Sequence, residues 1–244
     1  MDRARPPVII RNMGGIGDIK LFASLGEENA KRFAPTLTWR TVPANELVID
    51  MDDASNDVLF VVNGSVRVIH RAADGKQVIL GELGPGSMFG EMAAIDGIPR
   101  SASVTTLRAS QIGSMRGAAF MEVLAAEPEV CRTVLNILVG RIRSLNQQLT
   151  EHAYLTAVER LYAELLRLSR PRAGHDGQRS ISPPPTQQDL AERIGSRREV
   201  VSRALSALEK EALVEKTRGA LVLTDPGALN RRISLEGLWV KIDQ

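Results

Sequence analysis

One cysteine, Cys131, stands in 244 residues, so no internal disulfide can form and no cysteine cluster is present for zinc or an iron–sulfur centre. Histidine is scarce too. His70, His152 and His175 fall in a strand-like run, a helical run and a loop. They have neither a metal-ligand spacing nor a Ser/His/Asp arrangement, and His70 alone is thin support for a haem ligand. With no nucleophile–base pair or metal constellation, an enzyme is not expected. No stretch approaches the eighteen apolar residues of a membrane helix. The opening "MDRARPPVII" is basic but lacks the apolar core and cleavage site of a signal peptide, so a cytoplasmic protein is expected. Charge of one sign is also missing: the net charge is +2. Residues 160–244 hold 15 Lys/Arg against 11 Asp/Glu, and residues 1–159 hold 16 against 18. If any part meets a polyanion, it is the C-terminal third.

What remains is a soluble composition, 43% hydrophobic and 25% charged, in a chain long enough for two ordinary domains. Residues 36–116 read as short strands. "VLFVVNGSVRVIH" joins two β-branched runs at Asn63-Gly64, a hairpin signal because both turn positions need positive φ. "VIHRAADGKQVIL" repeats the device at Asp74-Gly75, and Pro85-Gly86 marks a tight turn. Such spacing predicts a β jelly-roll, with short helices at 19–33 beside it. "GGIGD" at 14–18 has no preceding strand and no Walker lysine, and reads as a turn rather than a phosphate loop.

From Pro128 the period changes. Leu135, Leu138, Ile142, Leu145, Leu149, His152 and Thr156 are spaced 3, 4, 3, 4, 3 and 4, an a/d seam. It predicts a long helix that pairs with a second copy in a parallel homodimer; packing on its own domain is the plainer alternative. A helix at about 156–169 follows, then a Pro/Gly/Ser-rich loop over 169–185.

The last segment reads helix, helix, hairpin. Thr186 caps a helix carrying Leu190 and Ile194, and Gly195 makes a sharp turn. Ser196 is expected to cap a second helix that buries Val200, Ala204, Leu205 and Leu208. This is a helix-turn-helix. Arg197, Arg198, Glu199, Ser202 and Arg203 face away from that stripe, as a major-groove helix needs: Arg bonds guanine O6 and N7, and Glu accepts from cytosine. Thr186 and Arg218, the latter at the hairpin tip "TRG", complete the DNA-binding set. A solvated basic helix face is the bland alternative.

The remaining motif is "FGEMAAIDGIPRSASV", residues 89–104, with Glu91 and Arg100 nine positions apart among small residues. With "GRIRSLN", "HAYLTAVERLYAELLRL" and "SRREVVSR" in that order, the chain resembles the cAMP receptor protein (CRP/FNR) family of bacterial transcription regulators over nearly its full length. The resemblance implies an α+β fold: a cyclic-nucleotide-binding β-roll (1–127), a dimerisation helix (128–154) and a winged helix-turn-helix domain (155–244). It implies that Arg100 and Ser101, with the backbone of Ala102, hold a cyclic phosphate, and that Glu91 accepts from the ribose hydroxyl. Gly90, Ala93 and Ala94 are small, letting backbone approach the ligand, and Met92 lines the site with them. A structural salt bridge between Arg100 and Glu91 in the absence of ligand is the plainer, minor alternative. Arg141 is implied to reach from the seam toward Glu91. Where cAMP-binding relatives carry Thr-Ser, this chain has Leu145 and Asn146. Asn146 can still bond a base edge and Leu145 cannot, so cAMP is the first expectation and cGMP the second.

The implied protein is a homodimer on a two-fold DNA site with TGTGA-like half-sites, with RNA polymerase as a further partner and no metal. Arg198, Glu199 and Arg203 fall on the family's base-contacting positions. A same-fold regulator that binds DNA without nucleotide and a non-DNA regulatory subunit are the rivals.

Overall fold

Along Val58–Phe60–Val61 the side chains alternate between two destinations. Val58 and Phe60 join a core shared with helices, whereas Leu59 and Val61 point into the roll. That period of two makes the strand a wall between two cores. The computed structural model describes residues 14–72 and 77–233. They fall into two compact units that divide between Arg141 and Ile142.

In the N-terminal unit, turns at Ile16–Asp18 and Lys20–Phe22 and helix α1 (Glu27–Phe33) precede the sheet. Its strands are β1 (Leu37–Val42), β2 (Leu47–Ile49), β3 (Val58–Arg71), β4 (Gln77–Leu83), β5 (Met88–Phe89) and β6 (Ser103–Met115), with helix α2 (Glu91–Asp96) between the last two. All pairings are antiparallel. The order is β1-β6-β3-β4, with β2 on β6 and β5 on β3. Helix α3 (Gly117–Ala126) buries Phe120 beside Phe60, which in turn meets Phe22 edge-on at 5.1 Å.

The expected hairpin at Asn63-Gly64 is not there. β3 runs straight through both residues, and its register with β6 shifts on either side of Asn63. Only Gly64 has positive φ, +89°, and a Cβ there would lie 2.6 Å from the Ser110 Cα. The Asn-Gly pair therefore serves as a bulge that bends one long strand around the roll. The second hairpin forms, since Arg71 pairs with Gln77, but Asp74 and Gly75 lie outside the described residues. Pro85-Gly86 turns as expected, with the Ser87 N–H donating to the Gly84 carbonyl at 3.1 Å. "GGIGD" forms a turn closed by the Gly15 N–H on Asp18 at 2.7 Å, with Ile16 in the core.

Helix α4 (Pro128–Tyr154) begins in the N-terminal core through Val130 and Val134. Leu138 also packs there, so it leaves the expected seam, and Val139 is exposed in its place. Leu135, Ile142, Leu145 and Leu149 are 55–70% exposed, an apolar stripe that no described residue covers. Thr156 also leaves the seam. It lies beyond the end of α4 and caps α5 (Ala157–Leu168) in a reciprocal box with Glu159.

The C-terminal unit continues with β7 (Arg170–Pro171), β8 (Arg179–Ile181), α6 (Gln187–Arg193), α7 (Arg198–Lys210), β9 (Val214–Lys216), β10 (Leu221–Leu223) and α8 (Pro226–Arg231). The Pro/Gly/Ser-rich stretch is thus not all loop: β7 and β8 extend the wing hairpin into a sheet ordered β7-β8-β10-β9. Gly195 turns at φ +59°. The N-cap of α7 is Arg197 rather than Ser196, and the helix buries Val201 rather than Val200, with Ala204, Leu205 and Leu208 as expected. Val201, not Val200, stands at the i, i+3, i+4, i+7 spacing that Ala204, Leu205 and Leu208 complete. The segment after the wing with Leu235, Leu238 and Trp239, and the basic N-terminus, lie outside the described residues.

Candidate functional site

Gly90 ends β5 with φ +78° and starts α2. A Cβ at this position would stand 2.6 Å from the Arg100 guanidinium and 2.9 Å from the Asp57 carbonyl, so glycine is required by conformation and by space. Arg100, 4% exposed, returns to this turn from the loop after α2. Its Nη1 donates to the Gly90 carbonyl at 2.7 Å, its Nη2 to the Asp57 carbonyl at 2.8 Å and its Nε to Ser55 at 3.1 Å. A guanidinium has five N–H groups, so two remain for an anion. Burial pushes the Arg100 pKa down, and Asp57, Asp53 and Glu91 oppose that shift. Arginine stays protonated against such pressure, giving a fixed cation inside a low-dielectric wall.

Glu91 does not pair with Arg100. It is 3% exposed, and its Oε1 accepts from Arg141 Nη1 at 2.6 Å. Arg141 Nη2 also donates to the Met88 carbonyl at 2.5 Å. The long helix is thus tied to the turn that carries the cradle, while Glu91 Oε2 accepts nothing from a described residue. Ser101 is exposed and its hydroxyl is held only weakly, on the Met92 sulfur at 3.7 Å. Ala93 and Ala102 are buried, whereas Met92 is half exposed. The structure therefore brings together Gly90, Glu91, Met92, Ala93, Arg100, Ser101, Ala102 and Arg141. Asn146 lies further along α4, exposed, in the second unit. The residue types suit a small anion bearing hydroxyl groups: two uncommitted guanidinium N–H groups, a loosely held hydroxyl and a carboxylate oxygen come from residues 91–101. Sequence reasoning missed Ser55 and Asp57, whose loop carries no pattern linking it to a residue more than forty positions away.

In the second unit, Arg197, Arg198, Glu199 and Arg203 are exposed on the first turns of α7 and Ser202 is half-buried. Thr186 caps α6, accepting the Asp189 N–H at 3.0 Å, and Arg218 is exposed at the hairpin tip, where the Thr217 N–H donates to the Ala220 carbonyl at 2.9 Å. Three basic side chains and one acid, exposed at the start of α7, together with an exposed basic hairpin tip, are the residue types that a major groove accepts.

A β-roll with a buried guanidinium, a long helix and a winged helix-turn-helix are the parts of a protein that joins a small-ligand domain to a DNA-binding domain. Comparison with known proteins agrees. Residues 39–127 match the cyclic nucleotide-binding domain and residues 159–232 the Crp-like helix-turn-helix domain. A CRP-like cAMP-activated global transcriptional regulator of Mycobacterium tuberculosis is 28% identical over 192 residues, 78% of this chain and 85% of that protein. A cyclic nucleotide-gated potassium channel of Mesorhizobium japonicum is 36% identical over 121 residues, 50% of this chain and 32% of the channel. The c-di-GMP responsive regulator CLP of Xanthomonas campestris shares the fold, with a TM-score of 0.69 at 22% identity, over 81% of this chain and 99% of CLP. The chain thus carries a cyclic nucleotide-binding domain and a Crp-like helix-turn-helix domain and is similar to CRP/FNR regulators over most of its length: it is a cyclic nucleotide-binding, DNA-binding transcription regulator.

Proposed function

We propose that the effector is cAMP, with cGMP second, and that the protein acts in the cytoplasm as a homodimer joined through α4 on a two-fold DNA site with TGTGA-like half-sites. In this reading residues 1–127 sense the nucleotide, 128–154 dimerise and 155–244 bind DNA. Arg100 and Ser101 hold the cyclic phosphate with the Ala102 backbone, Glu91 accepts from the ribose hydroxyl through its open oxygen, and Gly90, Met92 and Ala93 line the site. Asn146 reads the base edge. Arg198, Glu199 and Arg203 contact bases, and Arg197, Ser202, Thr186 and Arg218 contact the backbone nearby. RNA polymerase is the further partner.

The Glu91–Arg141 ion pair carries this reading, because it places one carboxylate at both the ligand cradle and the helix that bears the apolar stripe. A nucleotide hydroxyl on Glu91 then biases α4, and a ligand shifts the population only as far as it prefers the DNA-competent state. The test is specific-DNA affinity measured with no ligand, cAMP and cGMP. We expect cAMP to tighten binding about tenfold or more, within the usual range of coupling. Equal affinity in all three arms would leave a constitutive operator-binder. One observation favours that second reading: Leu145 stands where a base-reading hydroxyl is needed.

A further inference from the structure

Between α4 and α5 the helical path breaks at Leu155–Thr156, where Thr156 is extended at ψ 161°. Two residues of ordinary backbone would let the DNA-binding helices swing. Four charged side chains around this joint are linked in one chain of ion pairs. Glu151, in the last turn of α4 and 4% exposed, accepts from Arg167 Nη2 at 2.6 Å. Arg167 sits at the far end of α5 and also pairs through Nη1 with Glu164. Glu164, 6% exposed, meets Arg193 of α6 at 3.4 Å. Gln147, one turn back on α4, adds a bond to the same Glu151 oxygen at 3.1 Å. Beside them Arg160 donates to the Leu155 and Ile194 carbonyls at 2.8 and 3.0 Å.

Buried ion pairs add little net stability compared with an apolar packing of the same shape; what they can supply is one geometry out of several. Arg167 suits that role because its planar fork engages two carboxylates on two helices at once. We infer that Arg167 is a positioning residue: through Glu151 it fastens the end of α4 to α5 and α6, and so holds the recognition helix α7 at one attitude to the long helix. This rests on the two-fold DNA-binding reading, since only a dimer on two half-sites needs that attitude fixed.

The test uses the full-length protein without nucleotide and two duplexes: a palindrome selected by the native protein from a random library, and the same duplex with one half-site scrambled. Glu151→Gln cuts the link to α4 but leaves Arg167 on Glu164. We expect it to weaken binding to the palindrome about tenfold or more, because a swinging second domain loses effective concentration. Affinity for the single half-site and the thermal midpoint should both stay close to native values. Glu164→Gln, which loosens the DNA-binding domain itself, should weaken both duplexes alike. Should Glu151→Gln fold poorly, Arg167→Lys reads the same ratio, since one ammonium cannot fork to both carboxylates. Equal loss on both duplexes for Glu151→Gln (or for Arg167→Lys in its place), or loss on neither, overturns the inference. A native protein that binds both duplexes equally sinks the two-fold reading instead.

Discussion

Arg100 holds two backbone carbonyls and a serine inside the wall of the roll with three of its five N–H groups. It is a strut between Asp57 and Gly90 and, in the proposed reading, also the ligand for the phosphate, so the two roles cannot be removed separately by truncation to alanine. Arg100→Lys is the better probe. It keeps the charge and loses the fork, so we expect nucleotide affinity to fall about tenfold or more. Leaving the Gly90 and Asp57 carbonyls under-satisfied should also cost about 1–3 kcal/mol in urea unfolding. Calorimetry that returns native nucleotide affinity for this variant would place the phosphate elsewhere. Glu91 shows why pairing could not be read from spacing. Nine positions from Arg100, it turns instead to Arg141, fifty residues away.

Among the elements, α4 carries both the apolar stripe and a titrating group. Lysine at both 145 and 149 would set charges into the stripe of Leu135, Val139, Ile142, Leu145 and Leu149. We expect that double variant to sediment as a monomer at concentrations where the native protein is a dimer; a dimer in both would show that the stripe is not the interface. At the other end of α4, His152 lies against the helix-turn-helix, where a Cβ on Gly195 would come within 2.9 Å of its ring. Burial lowers the His152 pKa, Arg160 lowers it further, and Glu151 partly offsets both. The unfolded chain therefore binds this proton more readily than the folded one. Stability contributed by neutral His152 is present above about pH 6.5 and is lost as the pH falls below it. The native unfolding midpoint should drop between pH 7.5 and 5.5 by more than that of His152→Gln. Equal drops would mean that other groups carry the acid sensitivity.

At the scale of the whole molecule, the two units do different chemistry and are read by different measurements. In the proposed reading, nucleotide affinity belongs to the cradle and sequence discrimination to α7. Arg198→Ala is expected to cost about 1–3 kcal/mol on the selected duplex through loss of a bidentate guanine contact, with little change on random DNA. Fluorescence anisotropy at two salt concentrations checks this. Equal weakening on both duplexes, with a shallower salt dependence, would make Arg198 a phosphate anchor.

Local patterns sufficed for the outline because they depend on near neighbours in the chain. The Pro85-Gly86 turn, the Thr186 and Gly195 punctuation of the helix-turn-helix and the onset of α4 at Pro128 all follow from backbone preference and periodicity. Asn63-Gly64 is legible only as a place where the backbone takes positive φ. Whether that makes a turn or a bulge was decided by β6, which pairs continuously past it. Leu138 and Val139 are equally apolar, and the N-terminal core chose which faces inward. The motif of residues 89–104 supplies the cradle's residue types, but Ser55, Asp57 and Arg141 join it from distant segments. Sequence set the local conformations; burial and long-range pairing, which bring partners such as Arg141 to the buried Glu91, chose the contacts.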